Sequence, residues 1–210
     1  MIVSKFVIKA LITRTSIALN GDYLPNITNS SIMDKETEKL TAAITEAARM
    51  AFQKLFNNGE HFYYCVLLTT GEGLAPIISA WSWEALDRVS QKYSKTYAQD
   101  VKWSYADSPY FAFGDNEYFG DVKQLFEHRA NIDNLNDEAW KKELDFRLMV
   151  MVKAMSILDK EELFAQNQSR KNILINVELM PPDASNTQRA LELNNPEDIE
   201  DYLQEAAESE

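Results

Sequence analysis

The sequence predicts an α+β domain: a small, mainly antiparallel sheet of about four strands, covered by several helices. Residues 61–70 form a run of strand length rich in aromatic and aliphatic side chains, closed by the turn formers Gly71-Glu72-Gly73. Residues 74–81 and 172–179 repeat that apolar, β-prone character, and 101–104 (Val-Lys-Trp-Ser) reads as a further short strand. The segments around them place apolar residues at i, i+3 and i+4, the spacing of helices that lay one face on a sheet.

Residues 1–32 differ in character from the rest of the chain. They carry Lys5, Lys9 and Arg14 against one acid, Asp22, and their apolar pieces are interrupted by charge. No run there reaches the ~18 residues of a spanning helix or the ~7–15 of a signal-peptide core. They read as an N-terminal extension outside the domain, compatible with a transit peptide or with a start assigned upstream of Met33. Asn26 to Ser31 reads as turn and linker. The domain is placed at 33–210.

Residues 34–57 form the clearest helix. Asp34 is the expected cap, and Leu40, Ile44, Ala47, Ala48, Ala51, Phe52 and Leu55 make one stripe. Asn57-Asn58-Gly59 ends it. The run 62–70 is apolar at nearly every position, which predicts a strand covered on both faces or central in the sheet. The short turn after it predicts an antiparallel partner, and Pro76, which lacks a ladder donor, predicts that this partner starts irregularly or lies at an edge. Ser82 caps a helix to about residue 97. Residues 103–119 interleave aromatics and acids with turn formers. Helices are expected at 117–129, at 136–158 with Asn136 as cap, and from an Asp159 cap to about 167. Pro181-Pro182 stops the last strand, and helices are expected at 185–193 and 196–206.

The chain has 21 Lys and Arg against 33 Asp and Glu, a formal charge of −12. After Arg189 come Glu192, Glu197, Asp198, Glu200, Asp201, Glu205, Glu208 and Glu210, with no Lys or Arg. Such a field repels nucleic acid and anionic lipid and attracts basic partners; it also serves solubility alone. The only cysteine, Cys65, lies inside an apolar run, so no intrachain disulfide forms and a reducing, cytoplasmic setting fits.

Chemistry-bearing motifs are sparse. His61 and Cys65 stand at i, i+4, but no third His or Cys completes a zinc set. There is no nucleophile elbow, phosphate loop or dinucleotide fingerprint, and neither metal nor cofactor is expected. In the aromatic–acidic stretch, Trp103, Tyr110, Phe111, Phe113 and Phe119 fit a loop packed on the sheet with its acids outward. The same stretch fits a recognition surface, because Tyr and Trp dominate interface hot spots and rim carboxylates pair with basic groups. On that reading the contact residues are Tyr105, Asp107, Tyr110, Asp115, Glu117, Tyr118 and Asp121.

Residues 62–70 (Phe-Tyr-Tyr-Cys-Val-Leu-Leu-Thr-Thr), 81–86 (Trp-Ser-Trp-Glu-Ala-Leu), 101–107 (Val-Lys-Trp-Ser-Tyr-Ala-Asp) and 192–197 (Glu-Leu-Asn-Asn-Pro-Glu) resemble the bacterial family called domain of unknown function 4303, over about 34–203. The resemblance implies a compact, intracellular α+β domain of the kind found near toxin and contact-competition loci. It brings no catalytic motif. The leading expectation is therefore a non-catalytic binding protein, an immunity or antitoxin type that occludes a basic cognate toxin, as monomer or homodimer. The alternatives are an enzyme with a carboxylate acid/base site, recognisable by a pocket with an upshifted carboxyl group, and a structural or self-associating module.

Overall fold

The computed structural model describes residues 26–208, with side chains from Met33 onward except at Asp133. The reading of 1–25 lies outside the described residues. The fold is α+β, built on a three-stranded sheet in the order β2-β1-β3. Central β1 (Phe62–Thr70) pairs antiparallel with β2 (Ile77–Ser82) and parallel with β3 (Leu174–Met180). The sheet is therefore mixed, and its three strands among the described residues are close to the four or so expected. The hairpin turn is too short for anything but an antiparallel return. About a hundred residues separate β1 from β3, ample for the crossover that a parallel pair requires.

Alternation along the strands divides the core in two. Cys65 and Leu67 of β1, Ile78 and Ala80 of β2, and Ile175 and Val177 of β3 face one way. They meet α1 (Asn26–Phe56), which contributes Leu40, Ile44, Ala48, Phe52 and Leu55, and α6 (Asp137–Lys160), which contributes Met151, Met155 and Leu158. Tyr64, Val66, Leu68, Trp81 and Leu174 face the other way, into a more aromatic cluster. That second face is covered by α2 (Trp83–Lys92), α3 (Lys95–Val101) and the loop after it, α7 (Ala184–Leu193) and α8 (Glu200–Glu205). Two short helices, α4 (Asp115–Tyr118) and α5 (Gly120–Glu127), pack beside α1.

Several boundaries move for identifiable reasons. Helix α1 begins at Asn26 rather than at Asp34. No Gly or Pro interrupts 26–33, so the helix propagates back from its apolar stripe through the expected linker. Ser94 caps a new helix by accepting from the Tyr97 amide (3.0 Å), which splits the helix expected to run to 97. Residues 101–104 are not a strand. Val101 ends α3, and the next carbonyls are taken by side chains of the sheet: Tyr63 Oη donates to Lys102 O (2.7 Å), Trp81 Nε1 to Ser104 O (2.7 Å) and Ser79 Oγ to Tyr105 O (2.8 Å). With its acceptors satisfied from below, this loop needs no ladder. The helix expected over 117–129 is two, α4 and α5. Asp159 does not cap a helix; it lies in the last turn of α6, and a single 3-10 turn, Phe164–Gln166, comes after it. The strand expected at 172–179 begins at Leu174, after another such turn. Helix α7 begins at Ala184, one residue before the expected start, with Asp183 as its cap, and 196–206 divides into a 3-10 turn and α8.

The expected caps at Ser82 and Asn136 are present, accepting from the Ala85 and Ala139 amides (both 3.0 Å). Ser82 Oγ also donates to Glu60, so Ser82→Ala removes two interactions. A loss of about 1–2 kcal/mol is expected in denaturant unfolding.

Candidate acid–aromatic cleft

On the second face the late acids and the mid-chain aromatics come together. Trp103 is the centre of this arrangement. Its ring meets Tyr63, Tyr64 and Tyr202 edge-on at centroid distances of 5.4, 6.1 and 5.5 Å, and its indole Nε1 donates to Glu205 Oε2 (2.8 Å). Tyr63 in turn stacks on the half-exposed Trp83 at 4.1 Å. Lys102 is drawn over this cluster. Its Nζ lies 4.8 Å from the Trp103 ring centre and pairs with Glu205 at 2.9 Å. The aromatic cluster thus already holds one cation of the chain itself, by ring-face attraction and charge.

Two clefts flank the Trp103–Tyr202 pair. The larger, about 630 Å3, is walled by Trp103, Tyr105 and Tyr202, with Asp100, Glu205 and Glu208 at its lip and Glu178 in its lining. The smaller, about 340 Å3, lies between Trp83 and the acids Glu197, Asp198, Glu200 and Asp201, with Lys171 also in its lining. The late acidic run is therefore no free tail: most of it frames these clefts.

Glu178 is the most perturbed carboxyl group of the site. It sits on β3 opposite Leu68 and is 4 % exposed. Its Oε2 accepts from Tyr64 Oη (2.8 Å) and its Oε1 from Asn176 Nδ2 (3.2 Å). Burial pushes its pKa up to about 7, against the opposing pull of Tyr64, Asn176 and the positive charge of Arg189. The Tyr105 and Tyr202 hydroxyls are raised as well, by burial first and then by the charges of Glu178 and Glu208. Arg189 does not bond Glu178. It donates to Val177 O, Ser185 Oγ and Asn186 Oδ1, tying α7 to β3.

Of the contact residues expected from sequence, Tyr105 lines this cleft. Asp107 is exposed nearby in sequence and accepts from Ser104 Oγ (2.5 Å). Tyr110 is a packing residue. It meets Phe62 edge-on, and its hydroxyl donates to Glu60 Oε2 (2.6 Å) beside Arg88. Burial opposes ionisation of Glu60, yet Arg88, Ser82 and Tyr110 together hold its carboxyl group below the usual range. Asp115, Glu117, Tyr118 and Asp121 belong to α4 and α5, in the layer beside α1. Asp115 pairs there with Lys123 (2.7 Å) and lines a different, largely apolar cleft with Phe126 and Ile132. Glu178 is not among the residues expected from sequence. The signal for it is the alternation in 174–178, where Asn176 and Glu178 stand on one face of an otherwise apolar strand.

The histidine–cysteine pair does not converge. His61 is exposed and bonds Glu84 (Nδ1–Oε1, 2.6 Å), while Cys65 is buried against α1 and α6, its thiol pushed up by burial. Among the described residues no group of three or more His, Cys, Asp or Glu could hold a metal ion, and no helix is long and apolar enough to cross a membrane.

The family model described as Domain of unknown function (DUF4303) matches residues 44–195, well over half of the chain. The chain belongs to the DUF4303 family. No curated protein and no solved structure matches it. The DUF4303 match begins within α1 and ends just beyond α7, so it takes in the whole sheet and Glu178. The acids of α8, which close the clefts, lie beyond the matched residues.

Proposed function

We propose that this DUF4303 chain is a non-catalytic binding protein that holds a basic protein partner against its acid–aromatic face. An immunity-type protein of the cytoplasm, neutralising a cationic toxin by occlusion, is the form that the charge and the family resemblance favour. The observation that carries this reading is the composition of the larger cleft: among the described residues, every ionisable group that lines it is a carboxyl or a phenol, and its walls are aromatic. Such a surface steers cations by its field and offers aromatic contact area at low entropic cost.

Charge reversal tests it. Replacing Asp100, Asp201 and Glu208, all exposed, with lysine is expected to weaken capture of a basic partner at least tenfold and to flatten its salt dependence. Unchanged capture would refute the reading.

A second reading is favoured by one observation: a buried carboxyl group that titrates near neutrality, in a cleft, suits general acid/base work. Turnover of a small molecule by the purified chain, abolished in Glu178→Gln, would establish it in place of the first.

A further inference from the structure

We infer that the larger cleft receives the guanidinium group of a single arginine side chain, seated over the buried carboxylate of Glu178 between the rings of Trp103, Tyr105 and Tyr202. The inference rests on the binding reading above and specifies what enters the cleft.

The geometry selects the ligand class. Among the described residues, each Glu178 oxygen accepts one hydrogen bond, from Tyr64 or from Asn176. A carboxylate has about four acceptor sites, so lone-pair capacity remains for a ligand that enters the cleft. A planar fork of donors matches two carboxylate oxygens and stacks on aromatic rings; an ammonium does neither. The cleft volume of about 630 Å3 exceeds what one side chain needs. Arg189, the cation that α7 carries, has all three of its guanidinium nitrogens engaged by Val177, Ser185 and Asn186, so it does not already fill the role.

Binding is coupled to a proton. Glu178 is largely neutral below pH 7, and a guanidinium seated on it displaces its proton to the solvent, leaving a carboxylate–guanidinium pair. The titratable and charged groups that face it come from several elements. From β1 it meets Tyr64, and from α7 the charge of Arg189. From the loop and α8 come Tyr105 and Tyr202, both raised. Glu205 on α8 is held low by Lys102, and Asp100 and Glu208 complete the rim. Neither histidine lines the cleft. Affinity therefore increases between pH 5.5 and 8 by roughly thirtyfold, the ionised fraction of a group at about 7 setting the scale.

The test is a titration of the full chain with N-acetyl-arginine amide, N-acetyl-lysine amide and N-acetyl-citrulline amide, monitored by the Trp103 indole N–H signal at pH 5.5 and 8. The arginine amide is expected to bind saturably, at least tenfold more tightly than either analogue, and with the stated pH dependence. Glu178→Gln is expected to remove both the preference and the pH dependence, while Asp145→Asn, an exposed acid on α6, changes neither. Equal binding by citrulline amide would overturn the inference, and equal binding by lysine amide would overturn the guanidinium assignment. These comparisons use the unaltered chain, so they stand even if Glu178→Gln fails to fold. If no arginine preference exists while reversal of the rim charges still abolishes partner capture, the cleft assignment falls and the binding reading stands. If rim reversal changes nothing, the binding reading falls.

Discussion

Raising the pH from 4.5 to 7 is expected to cost the folded chain about 3 kcal/mol through Glu178 alone. Its carboxyl group ionises at 4.5 when unhindered and at about 7 in the fold. Between those values the folded state keeps a proton that the unfolded state has released, so stability falls as pH rises. The contribution is full below 4.5 and gone above 7, and the shift converts at about 1.4 kcal/mol per pH unit. Glu60, Glu84, Glu143 and Glu205 are shifted the other way, so their contributions are lost towards acid pH and oppose this one. The difference between the chain and Glu178→Gln isolates the effect. Denaturant unfolding of both at pH 5, 6, 7 and 8 is expected to show the stability of the unaltered chain declining relative to the variant up to about pH 7 and running parallel above it. Parallel curves throughout would mean that Glu178 titrates as an exposed glutamate does.

The second large effect is centred on the β1–β2 turn. Arg147 on α6 is 5 % exposed and bonds Glu143 (2.7 Å), the Ala130 carbonyl (2.9 Å) and the Gly73 carbonyl. Glu143 is shared with Arg129 through two bonds of 2.6 Å, and Arg129 reaches Glu36 on α1. One cluster thus joins α1, α6, the segment after α5 and the β1–β2 turn. Gly73 itself has φ +61°, and a Cβ there would stand 2.6 Å from Ile132 Cδ1, so the turn both needs glycine and is packed closely against its neighbours. Arg147→Ala leaves two carbonyls without their donor and opens a cavity. A loss of about 3–5 kcal/mol is expected, read from the midpoint of denaturant unfolding. Arg147→Lys keeps the charge and loses the fork, and should fall between. A loss below about 1 kcal/mol for the alanine variant, less than one unmade buried hydrogen bond costs, would show that the turn is held by packing alone.

How far the sequence discloses this fold varies with the scale of the signal. The apolar run 62–70 and the stripe from Leu40 to Leu55 are long and regular, and they become the central strand and the main covering helix. Residues 101–104 look equally β-prone, yet the partners of this segment are tyrosine, tryptophan and serine side chains from the sheet below, a tertiary arrangement that local propensity does not encode. Strand direction is equally hidden: β3 is parallel to β1 because of the path the chain takes through α6. At the site, the acidity and the aromatic character are both readable. What is not readable is that the late acids fold back to meet Trp103 and Tyr105, while Asp115 to Asp121 turn away into the α1 layer. Glu178 is within reach of a reading that attends to alternation, since a carboxylate on one face of an apolar strand is costly unless something uses or neutralises it.

That this face serves to hold a cationic protein is tested most directly by capture from an extract of the native host. The full chain and its Asp100, Asp201 and Glu208 lysine triple variant are presented as paired baits, at low and at raised salt, and what each retains is quantified. A protein of strongly basic composition is expected to be enriched at least tenfold on the unaltered chain, released by salt and lost on the variant. Equal retention by both baits, or retention only of acidic proteins, would contradict a cation-holding face.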